Sequence, residues 1–560
     1  MSLEMAVRYQ EKVPLAHNTR PGREENENEL GELRTRNENR GRYWKMACLL
    51  LLGVGILVTR VHLERPHRLH KLSPVSTLSI ANYTTALQLA LQFLDVQKSG
   101  KLPSSNPFSW RGDSALNDGS DNGVNLTGGL YDAGDQIKFG LPMAFTATLL
   151  SWSVLEYASL MEQTQQLVVA MDSIRWVTDY LIKAHVSSNE FYFQVGDAEK
   201  EHHCWERPEN NDVPRPSYKL TTTNPGSDVA AESAAAMAAA SMVFRTTDPE
   251  YSDSLLKHAS ELFQFADTYK ASYSVTNPVV QPFYNSTGFT DELLWGASWL
   301  YYATGNISYL DYVTSAKALV SARIGQFPLW FSWDDKIPGL QVLLARLQIL
   351  GHPLGADNSI TNALWKYRAT ADGLICTFLP QSPSATAKRT KGGLIWLMEW
   401  NPLQHALNSG LLALFYSDYL VAANISAITC SGDIFTPKEI RSFAAIQADY
   451  VLGVNPLQQS FMVGYGSNYP KMVHHRGASI PNDGTIFTCE GGFVWYNATT
   501  PNPNVAIGAV VGGPFLNDTY VDSRENPGQN EPTTYNSVAM AGLAAGLSNT
   551  GATTVPLRWT

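Results

Sequence analysis

The chain is 560 residues long, with 44% hydrophobic, 11% aromatic and 16% charged residues. This composition can bury a large core and excludes wholesale disorder. The net charge of −10 argues against a nucleic-acid partner, because phosphate backbones are bound by clustered Lys and Arg, which this chain lacks outside its N-terminus. Neither a Pro/Ser-rich linker nor a repeat of fixed period divides the chain, so one large domain is compatible with its length.

The N-terminus differs in kind from the rest. Residues 1–45 are polar and end in a basic stretch, and the next 14 residues carry no charge. This apolar run is shorter than the roughly 20 residues of an untilted membrane span. A cleaved signal peptide is disfavoured by the long polar region before the run and by the lack of a small-x-small site after it. We predict a cytosolic tail over 1–45, an uncleaved signal anchor over 46–60 and a stem over 61–77.

Seven Asn-x-Ser/Thr sequons lie after this span and none before it. That asymmetry favours a lumenal or extracellular body, and therefore a single-pass type II membrane protein of the Golgi, endosome or plasma membrane. The sequon asparagines are Asn82, Asn125, Asn285, Asn306, Asn424, Asn497 and Asn517. Four cysteines after the span could form two disulfides in any of three pairings, or remain buried thiols. They are Cys204, Cys376, Cys430 and Cys489.

Helical periodicity dominates the rest of the chain, with about twelve helices and few strands between residues 84 and 547. In chain order, clear examples are "TTALQLALQFLDVQ", "SIRWVTDYLIKAH", "SDVAAESAAAMAAASMVF", "DELLWGASWLYYATG" and "PKEIRSFAAIQADYVLG". The alanine-rich run at 230–240 indicates a helix packed closely on several sides. A Gly305-Asn306 turn between helices over 290–304 and 307–320 indicates an antiparallel hairpin. We expect an all-α domain over 78–548, built as a double ring of helices or an α-solenoid, and a short tail over 549–560.

Two loops between helices carry candidate chemistry. In "TGGLYDAGDQIKFGLPMAF" the glycines allow a turn that holds Asp132 and Asp135, although an isolated Asp-x-x-Asp most often caps a helix. In "YPKMVHHRGASIP" His474 and Arg476 lie two residues apart, although a surface basic turn would look the same.

A third loop, "YVDSRENPGQNEPTTYN", carries Asp522 and Glu531 ahead of the last helix, where ordinary solvation could also explain them. Aromatic residues in loops complete the set, as in "EHHCWERPE", "FSWDDK" and "EWNPLQ". A lone Trp is usually part of a core, but flat rings beside carboxylates suit the C–H faces of pyranose sugars.

These stretches resemble glycoside hydrolase family 9 in their order and spacing, over roughly residues 78–548. The resemblance depends on "WRGDSALNDG", "GGLYDAGD", "PGSDVAAESAAA", "DELLWGASWLYYATG", "SFMVGYGSNYPKMVHHRGASIP" and "NEPTTYN". With its N-terminal anchor, the chain is similar to the plant membrane-bound endo-1,4-β-glucanases of the KORRIGAN type. The resemblance implies an (α/α)6 barrel and hydrolysis of internal β-1,4-glucosidic bonds in cellulose or related glucans, with inversion of configuration.

The resemblance also assigns roles to residues. Asp135 would be the general base, Asp132 would help to hold the same water, and Glu531 would be the general acid. His474 and Arg476 would bind sugar hydroxyls near the cleaved bond, and His474 and Asp522 are also counted with the catalytic residues. The groove would be lined by His202, Trp205, Tyr284, Trp333, Trp400 and Tyr535.

Some residues depart from the family pattern, which predicts altered subsites and a slow enzyme. They are Gln136, Pro402, His405, Pro527 and Ser537. No cofactor is required, because water and two carboxyl groups suffice, and no acidic loop is dense enough to predict a metal site. The alternative function is a non-catalytic, glycan-binding member of a membrane complex for cellulose synthesis.

Overall fold

The computed structural model describes residues 78–351 and 358–549. None of the helices in these two ranges is both long and apolar enough to cross a membrane. The predicted tail over 1–45, anchor over 46–60 and stem over 61–77 lie outside the described residues, as do residues 550–560.

Twelve helices form the framework of the described part. They are α1 (Ile80–Gln97), α2 (Gly140–Gln163), α3 (Leu167–Ala184), α4 (Ser227–Phe244), α5 (Pro249–Thr268), α6 (Thr290–Thr304), α7 (Ile307–Thr314), α8 (Ile337–Ile349), α9 (Asn358–Phe378), α10 (Pro402–Ala422), α11 (Pro437–Val451) and α12 (Thr534–Leu547). Shorter helices lie in the connections: Ala198–His202, Tyr273–Thr276, Ala316–Ser321, Arg476–Ser479, Phe493–Tyr496 and Pro527–Asn530.

The even-numbered helices close into an inner ring. Helix α2 packs on α4, α4 on α6, α6 on α8, α8 on α10, α10 on α12, and α12 again on α2. Each odd-numbered helix packs on the outside of an inner one: α1 on α12, α3 on α2, α5 on α4, α7 on α6, α9 on α8 and α11 on α10. A ring that closes is an (α/α)6 barrel and excludes the α-solenoid alternative.

Small residues allow the inner helices to lie close together. All 18 residues of α4 are buried, as its alanine-rich sequence predicts. A Cβ atom added at Gly296 of α6 would lie 3.0 Å from the Ala231 carbonyl oxygen of α4. One predicted helix is wrong in detail, because the segment 307–320 is divided at Ser315. This residue has extended ψ and its hydroxyl accepts the amide of Ala318, which starts a second short helix.

Two small antiparallel sheets stand beside the helices. The first contains β1 (Lys138–Phe139), β2 (His185–Ser187), β3 (Glu190–Val195) and β4 (Ser217–Leu220), with β3 pairing with the other three. The second joins β5 (Ile428–Cys430) to β6 (Asp433–Phe435). The four cysteines form two disulfides, Cys204–Cys489 and Cys376–Cys430. The first of these joins two of the loops that surround the candidate site.

Candidate active site

The turn between Gly129 and Phe139 brings two carboxyl groups below the surface. The Asp132 amide donates to the Ile137 carbonyl at 2.9 Å, and the Asp135 carboxylate accepts the Ile137 amide at 2.7 Å. A Cβ atom at Gly134 would lie 1.9 Å from the His474 carbonyl oxygen. The turn is therefore pressed against the "VHHRG" segment, and only glycine fits at this point.

Glu531 reaches the same turn from the other end of the domain. It follows the short helix Pro527–Asn530 and precedes α12. The Gly134 amide donates to Glu531 Oε1 at 3.3 Å. Two segments nearly 400 residues apart therefore meet, with the glutamate carboxyl beside the two aspartates.

The grouped carboxyls favour bound protons. Burial raises the pKa of Asp132 to about 7, and burial together with Asp132 raises the pKa of Glu531 to about 8. Burial, and then the negative charges of Glu201, Asp132 and Glu531, raise the pKa of Asp135 well above its usual range. A proton on Glu531 removes one of these charges and so makes ionised Asp135 easier to form.

Arg476 is the cation behind this group. Its Nε lies 2.8 Å from Glu201 Oε1, and the guanidinium also donates to the Gly134 carbonyl at 3.3 Å. Its own amide donates to the same carbonyl at 3.0 Å. The residue is only 2% exposed. It therefore holds the aspartate turn in position, and its burial does not fit the expected direct contact with sugar hydroxyls.

His474 lies at the edge of the site and is partly exposed. Its Nδ1 is 2.5 Å from the Arg524 carbonyl oxygen, so Nδ1 carries the proton and donates it. Trp205 meets the ring edge-on at 5.0 Å. Burial and the nearby charge of Arg476 lower the pKa of His474 to about 3, which keeps the ring neutral.

Asp522 has a different position from the one expected for a catalytic residue. Its two carboxylate oxygens accept the amides of Lys471 and Met472 at 2.7 and 2.9 Å. These bonds fasten the segment that leads to His474. Asp522 therefore positions this segment in the structure, and its catalytic role stays a prediction.

The first three predicted groove residues differ in exposure, since Tyr284 is buried, Trp333 is half-buried and Trp400 is exposed. The Tyr284 hydroxyl donates to Asp132 Oδ2 at 2.7 Å, and Trp333 packs edge-on against Tyr284 at 4.9 Å. Trp400 is 51% exposed and can offer its ring to a ligand.

Two of the remaining three contribute mainly support. Trp205 is buried, with its indole N–H donating to the Ser479 hydroxyl at 2.8 Å. Tyr535 is also buried, and its hydroxyl accepts the Asn401 side-chain amide at 3.2 Å. The His202 ring stacks on Phe283 at 4.8 Å and is partly open to solvent.

Two residues at the site were not predicted. Glu201 is buried beside Asp135 and receives the Gln136 amide at 3.2 Å. Asn401, with a φ of 47°, donates to Tyr535 and accepts the Asn536 amide at 2.6 Å. The available signal for Glu201 was its position directly before His202 in "EHHCWERPE". Gln136, the residue after Asp135, also makes a contact here, because its side-chain amide donates to the Glu206 carbonyl at 2.5 Å.

The sequon asparagines lie at the surface of the described body. Five are exposed and two, Asn82 and Asn285, are partly exposed. Asn285 directly follows Tyr284, so a glycan there would lie close to the groove. Their placement is compatible with glycosylation at all seven positions.

Comparison with known proteins identifies the relatives of this chain. The model of the Glycosyl hydrolase family 9 domain matches residues 83–544. Endoglucanase 10 of Arabidopsis thaliana is 56% identical over 85% of this chain and 89% of its own length. Endoglucanase 24 of Oryza sativa subsp. japonica is 56% identical over 84% of this chain and 88% of its own length.

Solved structures agree. An endoglucanase from the termite Nasutitermes takasagoensis superposes with a TM-score of 0.73 at 38% identity, covering 83% of this chain and 98% of that one. Endoglucanase CelQ from Clostridium thermocellum, complexed with cellotetraose, gives a TM-score of 0.69 at 31% identity, covering 85% of this chain and 72% of that one. With its barrel and the two meeting carboxyl segments, the chain belongs to glycosyl hydrolase family 9.

Proposed function

We propose that the chain is an endo-1,4-β-glucanase that hydrolyses internal β-1,4-glucosidic bonds of cellulose or a related β-glucan with inversion. The observation that carries the proposal is the meeting of Glu531 with the Asp132–Asp135 turn through the Gly134 amide. Inverting glycosidases need one protonated and one ionised carboxyl on opposite sides of the scissile bond. The names of the relatives and the cellotetraose bound to CelQ support the substrate class.

In the proposed reaction, Glu531 donates its proton to the leaving glycosidic oxygen as the bond to the anomeric carbon breaks. A water attacks that carbon from the opposite face and gives its proton to Asp135. Asp132 holds the same water, and Tyr284 fixes the Asp132 carboxyl by a hydrogen bond of 2.7 Å. After one catalytic cycle Asp135 is protonated and Glu531 is ionised, and proton exchange with solvent restores both groups. No cofactor takes part.

The test is hydrolysis of a soluble β-1,4-glucan by the purified protein. We expect a rapid fall in viscosity, which indicates internal cleavage, and NMR detection of the α-anomer as the first product. The variants Asp135→Asn and Glu531→Gln should lose activity while retaining binding to cello-oligosaccharides. Undiminished activity in either variant would overturn the roles. Wild-type binding without any hydrolysis would favour the glycan-binding alternative in a cellulose-synthesis complex.

We also propose that residues 46–60 anchor the barrel to a membrane as a type II protein, with the domain in the lumen or outside the cell. The surface positions of the seven sequon asparagines, five exposed and two partly exposed, support this side for the barrel. In sealed microsomes, protease should remove only the N-terminal tail, and a glycosidase for N-linked glycans should increase the mobility of the protected fragment. A barrel that is digested without detergent would refute the orientation.

A further inference from the structure

Three side chains that could bind a metal ion lie together on the carboxyl side of the site. One ligand atom each from Asp135, Glu201 and His202 lies within 4.8 Å of the other two. Asp135 and Glu201 are 7% and 2% exposed, whereas the His202 side chain is 30% exposed. The group, which we call the acid–histidine cluster, is thus enclosed from below and reachable from the groove.

The histidine presents an unprotonated nitrogen to this cluster. His202 Nδ1 lies 2.6 Å from the Ala198 carbonyl oxygen, and because a carbonyl only accepts, Nδ1 carries the ring proton. Nε2 therefore has a free lone pair, and it faces Asp135 Oδ2 at 3.7 Å. His202 Nε2 and Asp135 Oδ2 are then both hydrogen-bond acceptors, and a cation or a proton between them would satisfy both. A ring fixed by a carbonyl at its other nitrogen is typical of metal-ligating histidine.

Glu201 adds an independent sign that a ligand is accommodated. Its Oε1 receives Arg476 Nε at 2.8 Å and the Gln136 amide at 3.2 Å. Its Oε2 is buried and has no hydrogen-bond partner within residues 78–351 and 358–549, and it lies 3.6 Å from His202 Nδ1, the protonated nitrogen of the ring. A buried carboxylate oxygen without a partner is costly. Arg476 therefore holds the side chain by one oxygen and leaves the other available.

We propose that the acid–histidine cluster binds one divalent cation of the Zn²⁺ class, and that the bound cation inhibits hydrolysis. Zinc takes imidazole nitrogen and carboxylate oxygen at about 2.0 to 2.2 Å in a tetrahedral arrangement, so ligand atoms stand roughly 3.3 to 3.6 Å apart. The separation of 3.7 Å between His202 Nε2 and Asp135 Oδ2 is close to this value. The three ligand atoms, which lie within 4.8 Å of one another, move closer together when the cation binds. Water fills the fourth position.

The type of cation and its effect follow from the ligands. Mg²⁺ and Ca²⁺ prefer six or more oxygen ligands, so a nitrogen and two carboxylates select against them. Arg476, 2.8 Å from Glu201, reduces the affinity and makes the site reversible. A cation on Asp135 Oδ2 occupies the oxygen that would accept the proton of water. Only the inhibitory consequence rests on the proposed function, since binding is a separate property of the cluster.

The experiment titrates Zn²⁺ into the full-length protein, by calorimetry and by competition with a coloured chelator. We expect one Zn²⁺ per chain, with affinity weakened at least about tenfold in Glu201→Gln and in His202→Gln, since even loss of outer partners costs that much. The matched control is His203→Gln, because that ring is exposed and bonded to the Glu199 carbonyl at 2.7 Å. Circular dichroism verifies the folding of each variant.

Activity on a soluble glucan is measured in parallel. The proposal is supported if Zn²⁺ inhibits the wild type and His203→Gln equally. Inhibition should be weaker in both cluster variants, in parallel with their weaker Zn²⁺ binding. Absence of binding, binding unaffected in both cluster variants, or binding lost in the control would overturn it. A wild-type protein that binds Zn²⁺ through the cluster but hydrolyses no glucan would refute the proposed function and leave the cation site standing.

Discussion

Replacing Glu531 by Gln tests the acid assignment most directly. Burial and Asp132 raise the pKa of Glu531 to about 8, so at pH 7 about nine in ten molecules keep the proton that the leaving oxygen needs. Glutamine has nearly the same shape but no proton of that kind to give. We expect kcat on a β-1,4-glucan to fall by about 10² to 10⁴, the usual contribution of general acid catalysis, with KM nearly unchanged.

The assay compares two substrates that differ in their need for the acid. A cello-oligosaccharide leaves as a poor alkoxide, whereas dinitrophenol leaves readily without a proton. Glu531→Gln should therefore lose far less activity on dinitrophenyl β-cellobioside than on cellopentaose. The control is Glu525→Gln, an exposed glutamate in the same loop, which should behave as wild type. Equal losses on both substrates would refute the assignment of Glu531 as the general acid.

The same pKa shift has a consequence for stability. The folded protein keeps the Glu531 proton up to about pH 8, whereas the unfolded chain releases it near 4.5, so wild-type stability falls as pH rises through this window. One proton corresponds to about 1.36 kcal/mol per pH unit, or roughly 2.5 kcal/mol between pH 5.5 and 7.5. The entropy of unfolding is about 2.1 cal/mol/K per residue, taken over some 470 residues. The Tm of Glu531→Gln relative to wild type should therefore rise by about 2 to 3 °C between pH 5.5 and 7.5. A Tm difference independent of pH would show that Glu531 is not held protonated.

Three further perturbations are expected to act differently. Tyr284→Phe removes the hydroxyl that lowers the pKa of Asp132, so the acidic limb of the kcat profile should move to higher pH; an unmoved profile contradicts this. Arg476→Lys cannot hold Glu201 and the Gly134 carbonyl together, so kcat should fall by about tenfold or more with KM retained. A rise in KM alone would instead indicate direct sugar contact. Removing the Cys204–Cys489 disulfide, which spans 285 residues, should cost about 5.6 kcal/mol in the chain-entropy relation, measured as a lower midpoint in urea; an unchanged midpoint would refute it.

Residues 474–476 illustrate where prediction from sequence ended. In the sequence these three consecutive residues form a single basic cluster. In the structure their side chains lie in three different environments. His475 has extended backbone, with φ −153° and ψ 114°, and neighbours in extended chain point to opposite sides. His474 faces the site edge, His475 bonds the buried Gln97 side chain at 2.9 Å, and Arg476 turns under the aspartates. The order of the motifs predicted that this segment lies at the site. The backbone conformation determined which of the three side chains faces the site.

The pairing of distant segments was predictable only in part. Helical periodicity gave the number of helices, and the motifs gave the joining of Asp135 with Glu531, since each motif has one place in the family pattern. Glu201 had no such motif. Its contact with Asp135 arises because the short helix Ala198–His202 lies beside the aspartate turn, which periodicity of single elements does not encode. Buried carboxyls of this kind depend on tertiary packing and on a cation such as Arg476 to offset their charge.

The departures from the family pattern preserve the backbone of the site. Pro402 occupies the first turn of α10 and Pro527 opens the short helix Pro527–Asn530, where a missing amide hydrogen costs nothing because it would have no helical partner. The Glu531 amide still donates to the Pro527 carbonyl at 3.0 Å, so the acid keeps its anchor. Ser537 accepts the Val510 amide at 3.2 Å through its hydroxyl. Because Pro402 and Ser537 are buried and the Glu531 anchor is kept, these residues preserve the backbone geometry on which the proposed proton transfer depends.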